Sequence, residues 1–293
     1  MVGTQNARES TEHDLMERGF GYMDFDLYEK VIHDAVDFGI ERALLCFQGE
    51  PLMYKRFPDM VKVAKSKGLY TQVFTNGILL NEDMAERIVE SGLNFMRFSV
   101  DGASEETYQQ NRVGGKFERI LRNMKMMIQK TNGTGPQLEW QFIVQRNNEH
   151  ELETAKQMAD QLGIPFMAKT LGVTDPDRAP LNPLYRRNLQ PKPCQDIYRA
   201  IYVLWNGDVV PCCYDPEGKE VMGNLKGSSL MDVWNSQKYV NFRGRVDGVR
   251  EDPANEPELC KGCLKWGHAS ELKPKQYTTS IPLTEIVMAP TEP

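Results

Sequence analysis

The chain has 293 residues, 40% hydrophobic and 9% aromatic, enough to bury one large core or two smaller ones. Its 35 Lys and Arg against 41 Asp and Glu give a net charge of −6 with no long run of one sign, which argues against nucleic acid as a partner. No apolar run reaches the roughly 18 residues of a membrane helix, and the polar stretch Met1 to Arg18 lacks the apolar middle of a signal peptide, so a cytoplasmic protein without a membrane partner is expected.

From Met23 to about Thr170, helical and strand patterns alternate. Asp24 is placed to cap a helix with Phe25, Tyr28, Val31, Ile32, Ala35 and Phe38 on one face, and Gly39 stops it. The apolar run Ala43-Leu-Leu-Cys-Phe47 reads as a buried strand. A helix over 57–66 leads to the strand Tyr70–Thr75, and a helix over 81–91 leads to the strand Phe95–Val100. A longer helix carries Phe117, Ile120, Leu121, Met124 and Met127. Then come the strand Trp140–Val144, a helix over 149–162 and a last apolar run, Pro165–Ala168. Five strands with helices between them predict a parallel sheet whose ligands bind at the C-terminal strand ends.

Residues 171–193 break into Pro, Asn, Asp and Arg and read as a linker. Ala200–Trp205, the turn Asn206-Gly207 and Asp208–Pro211 then predict a β-hairpin opening a small, loop-rich unit over 194–272. The tail 273–293 reads as extended or disordered.

Five of the six cysteines fall in this small unit: Cys194 before the hairpin, Cys212 and Cys213 after it, and the pair Cys260 and Cys263 around Gly262. In a reducing compartment such clustering points to metal or redox chemistry. A C-x-x-C turn chelates one centre, and further thiolates complete either a zinc site or an iron–sulfur cluster; spacing leaves both open. Cys46, inside a predicted strand, reads as core, and the four histidines read as solvated.

At the predicted strand ends lie Gly49-Glu50-Pro51, Thr75-Asn76-Gly77 and Ser99-Val100-Asp101-Gly102, followed by Arg112 and Gly114-Gly115-Lys116-Phe117. A carboxylate beside open carbonyls at such a rim suits a ligand ammonium. This succession resembles the core of radical S-adenosylmethionine enzymes. The small unit, with Asn206 to Cys213, Gly223-Asn224-Leu225, Trp234-Asn235 and the C-x-x-C pair, resembles the SPASM domain of that family.

The resemblance implies an α/β fold: a partial (β/α)6 TIM-like barrel over 1–170 that lacks its first strand, followed by the SPASM unit with its hairpin. It implies S-adenosylmethionine bound with Gly49, Glu50 and Pro51 at its amino group and Ser99 and Arg112 at its carboxylate or ribose, with Thr75 and Asn76 on the same rim. It also implies an auxiliary [4Fe–4S] cluster on Cys194, Cys212, Cys260 and Cys263, with Cys213 as substitute for Cys212. The implied activity is hydrogen abstraction from a peptide or small molecule, served by an electron donor such as flavodoxin or ferredoxin. Asp215 is the nearest acid to serve as a base.

The family's C-x-x-x-C-x-x-C loop, whose cluster cleaves the cofactor, does not occur in this sequence. Two expectations follow. Either a longer form carries that second cluster, or the chain is a catalytically inactive iron–sulfur or zinc module acting in electron transfer or partner binding.

Overall fold

The computed structural model describes residues 21–171, 177–186, 194–249, 252–261, 263 and 285–289. The polar N-terminal stretch, His13, His268, Gly262 and much of the predicted linker and tail lie outside them.

The βα alternation is present. Helix α1 (Phe25–Asp37) starts where Asp24 accepts the Leu27 amide at 3.0 Å. Strand β1 (Arg42–Leu44), helix α2 (Phe57–Ser66), β2 (Tyr70–Thr75), α3 (Glu82–Glu90), β3 (Phe95–Ser99), α4 (Glu105–Asn111), α5 (Phe117–Thr131), β4 (Gln137–Val144), α6 (Leu152–Leu162) and β5 (Phe166–Thr170) follow. β1 is shorter than predicted, because the chain leaves the sheet before Cys46 and turns at Gly49. Helix α4 was not foreseen. Its polar run Glu-Glu-Thr-Tyr-Gln-Gln-Asn shows little apolar periodicity, and the Ser104 cap, not Asp101, starts it.

Beyond the linker come α7 (Asp196–Arg199), the hairpin β6 (Ala200–Val203) and β7 (Asp208–Val210), β8 (Gly223–Asn224), α8 (Leu230–Trp234) and α9 (Gln237–Gly248). Within the unit read as loop-rich lies a 12-residue helix, α9. Its inward face is formed by Tyr239, Phe242, Arg243 and Val246, a helical spacing that two polar side chains conceal in the sequence.

A final strand, β9 (Glu285–Met288), comes from the segment read as tail. Among the described residues the nine strands form one sheet, ordered β5-β4-β3-β2-β1-β9-β6-β7-β8. β9 runs parallel to both neighbours, pairing Ala43 with Ile286 and Ile286 with Ile201. The place beside β1, where the resemblance leaves a first strand missing, is therefore filled from the C-terminal side of the sequence. The two predicted units share this sheet and one hydrophobic core. Helix α8 also docks on α1, with the Leu230 amide donating to Asp34 at 3.0 Å and Lys30 donating to the Ser228 carbonyl at 2.8 Å.

Candidate functional site

The segment after β1 and the C-terminal end of β2 meet around one carboxylate. Gly49, at φ +72°, lets the chain turn sharply after β1, and Glu50 then caps the 3-10 turn Pro51–Met53. Glu50 is 3% exposed. Its carboxylate accepts from the Leu52 amide at 3.1 Å, the Thr75 hydroxyl at 2.5 Å and the Asn76 amide at 2.8 Å. Burial outweighs these bonds and raises its pKa above the ordinary 4.5. The Asn76-Gly77 turn requires glycine: Gly77 has φ +67°, and a Cβ there would lie 2.4 Å from Ile120.

Ser99 is buried at the end of β3. Arg112, expected at the cofactor, donates to Asp101 at 2.7 Å, and both side chains are under 8% exposed. Asp101 also accepts the Ile143 amide at 2.9 Å, so the pair ties the region after α4 to β4. Tyr108 of α4, a residue the sequence reading did not single out, lies fully buried beside this pair. Its hydroxyl has no hydrogen-bond partner among the described residues, and burial pushes its pKa up to about 12.

The cysteines gather at the far end of the hairpin. Burial raises the Cys212 thiol, whose electrostatic neighbours are Cys213, Cys194 and Cys260; the Tyr214 amide donates to its sulfur at 3.4 Å. Cys213 is more exposed, takes a hydrogen bond from the Tyr202 hydroxyl and faces Cys263. Both adjacent cysteines thus point into the thiol-rich region. No disulfide joins any of the six cysteines, and among the described residues no three His, Cys, Asp or Glu side chains meet closely enough to hold a single ion. The donor set is all thiol, with an amide and a hydroxyl directed at sulfur, which fits an iron–sulfur cluster. Cys213 also feels the charge of Lys169 on β5, an edge strand of the sheet. Cys46 lies beside the core with its pKa raised to about 11 by burial, as a packing residue would.

Asp215 is buried, and its two carboxylate oxygens accept the Lys219 and Glu220 amides, each at 2.8 Å. That is the geometry of a residue organising a loop. No described helix is long and apolar enough to cross a membrane.

Comparison with known proteins agrees with this geometry. Residues 9–135 match the model of the radical SAM superfamily, and residues 194–264 match SPASM, an iron–sulfur cluster-binding domain. The chain is 28% identical over 299 residues to a PqqA peptide cyclase of Xanthomonas axonopodis pv. citri, covering 84% of this chain and 74% of that protein. It is 26% identical over 270 residues to a tungsten-containing aldehyde ferredoxin oxidoreductase cofactor-modifying protein of Pyrococcus furiosus, covering 76% and 75%. In fold it is similar to SuiB of Streptococcus suis bound to S-adenosylmethionine, with a TM-score of 0.61 at 14% identity over 76% of this chain and 61% of that one. By these two matches the chain carries a radical S-adenosylmethionine domain followed by a SPASM iron–sulfur domain.

Proposed function

We propose that the chain binds S-adenosylmethionine at the β1–β3 rim and an auxiliary [4Fe–4S] cluster at the hairpin, as part of an oxidoreductase or maturase acting on a peptide or small molecule. The observation that carries this reading is the Glu50 carboxylate, buried at the meeting point of two strand ends and raised in pKa, where a ligand ammonium would favour its ionised form. Gly49, Glu50 and Pro51 take the amino group, Thr75 and Asn76 hold the carboxylate of Glu50 in place, and Ser99 lies on the adjoining strand end. Arg112, paired with Asp101, takes the carboxylate or ribose. Cys194, Cys260, Cys263 and one of Cys212 and Cys213 ligate the cluster.

S-adenosylmethionine, once reduced by one electron, supplies the hydrogen-abstracting radical in this family. The protein's own part is to bind, orient and exclude water around it. The similarity to a peptide cyclase favours a peptide as substrate.

A second reading has its own support: the 293 residues contain no C-x-x-x-C-x-x-C run, so a cluster-binding module without cofactor cleavage is the alternative. One experiment separates the two. The chain is purified without oxygen and reconstituted with iron and sulfide. Iron, S-adenosylmethionine binding and 5′-deoxyadenosine are then measured. About four irons with cofactor binding support the proposed sites. The same iron without binding favours the module, and tight zinc without iron overturns the cluster assignment.

A further inference from the structure

Helix α9 turns two polar side chains, four residues apart, to its buried face. Tyr239 is 0% exposed, yet its hydroxyl has no hydrogen-bond partner among the described residues. Cys212 and Cys194 are among its electrostatic neighbours. Arg243 is 9% exposed. One of its terminal nitrogens donates to the Trp234 carbonyl at 2.6 Å, and the other has no partner among the described residues. Its guanidinium lies 4.4 Å from the Tyr239 ring centre and 4.5 Å from that of Trp234, with Tyr198 at 6.0 Å.

A buried hydroxyl without an acceptor is costly, and so is a buried guanidinium nitrogen without one, although Asp247 supplies Arg243 with a nearby negative charge. Both costs fall when an anionic acceptor lies beside these groups. An iron–sulfur centre on thiolates is such an acceptor, and hydrogen bonds and charge near its sulfurs set its reduction potential.

We propose that the Tyr239 hydroxyl donates to the sulfurs of a cluster held at Cys194 and Cys212, with Arg243 behind it as a fixed positive charge, and that together they raise the cluster's reduction potential. The inference rests on the cysteines being cluster ligands. Both groups favour the reduced, more negative state of the cluster, so removing either makes reduction harder.

The test is a redox titration of the reconstituted full chain, followed by electron paramagnetic resonance, for wild type, Tyr239→Phe, Arg243→Gln and Arg243→Lys. The expected result is a tenfold loss in the one-electron equilibrium for Tyr239→Phe, a shift of about 59 mV to more negative potential. Arg243→Gln shifts the same way and Arg243→Lys, which keeps the charge, shifts less. If Tyr239→Phe fails to load iron, the comparison of Gln with Lys at position 243 decides. Equal potentials in the loaded proteins overturn the proposal. So does failure of all three variants to load iron, which assigns the residues to structure alone. A wild type that binds no iron instead refutes the cluster reading itself.

Discussion

Glu50 accepts three hydrogen bonds and is still harder to ionise than a carboxylate in water, so at this position desolvation dominates. The sign of the consequence follows. The folded chain holds this proton more tightly than the unfolded chain, so stability falls as pH rises from 4.5 through the raised pKa of Glu50. An ammonium ligand prefers the ionised form, so affinity for S-adenosylmethionine should rise with pH over that same window; equilibrium dialysis at stepped pH checks this. Glu50→Gln removes the charge and should weaken binding by about tenfold or more and flatten that pH dependence. Asp101 and Arg112 give a contrasting case, a buried pair 2.7 Å apart. Arg112→Met leaves a carboxylate buried without its partner and should cost about 3–5 kcal/mol in urea unfolding, most of which Asp101→Asn in the same chain should restore. Thr75, Asn76 and Ser99 were readable because each lies at or next to a strand end. Tyr108, Tyr239 and Arg243 were not, because a buried tyrosine or arginine on a helix face looks in sequence like any other polar position.

At the scale of elements, what the sequence made visible was what repeats. Helix α2 and strand β2 fall at their predicted bounds, since each shows its own period between clear stops at Gly68 and Asn76-Gly77. β9 was hidden for the opposite reason. Glu-Ile-Val-Met is four residues long, stands in a Pro- and Thr-rich segment, and carries no local signal of the neighbours it will meet. Its burial is nonetheless complete at Ile286 and Met288. Ile286→Ala should cost about 2–5 kcal/mol, the range for emptying a core site. Hydrogen exchange should then accelerate in β1 and β6 together, the two strands that β9 bridges, while β3 and β4 stay protected; acceleration spread evenly over the sheet would contradict this.

At the scale of the molecule, the cysteines lie in three stretches far apart in sequence, before the hairpin, after it and beyond α9. Iron bound there cross-links the linker, the hairpin and the segment after α9, and its removal relaxes all three. Chelation of a loaded chain should lower the melting temperature in calorimetry and open α9 to exchange, leaving the βα half unaffected. The placement of β9 has a further consequence, for synthesis. β1 ends at residue 44 and β9 begins at 285, so at typical translation speeds β1 leaves the ribosome roughly 10 to 50 seconds before its neighbour exists. For that time β1 presents an unpaired edge, joined by that of β6 once residues 200–203 have been made. Any extended segment of similar pattern, from another nascent chain or from a partner that feeds a strand into the gap, competes for the centre of this sheet until the late strand arrives.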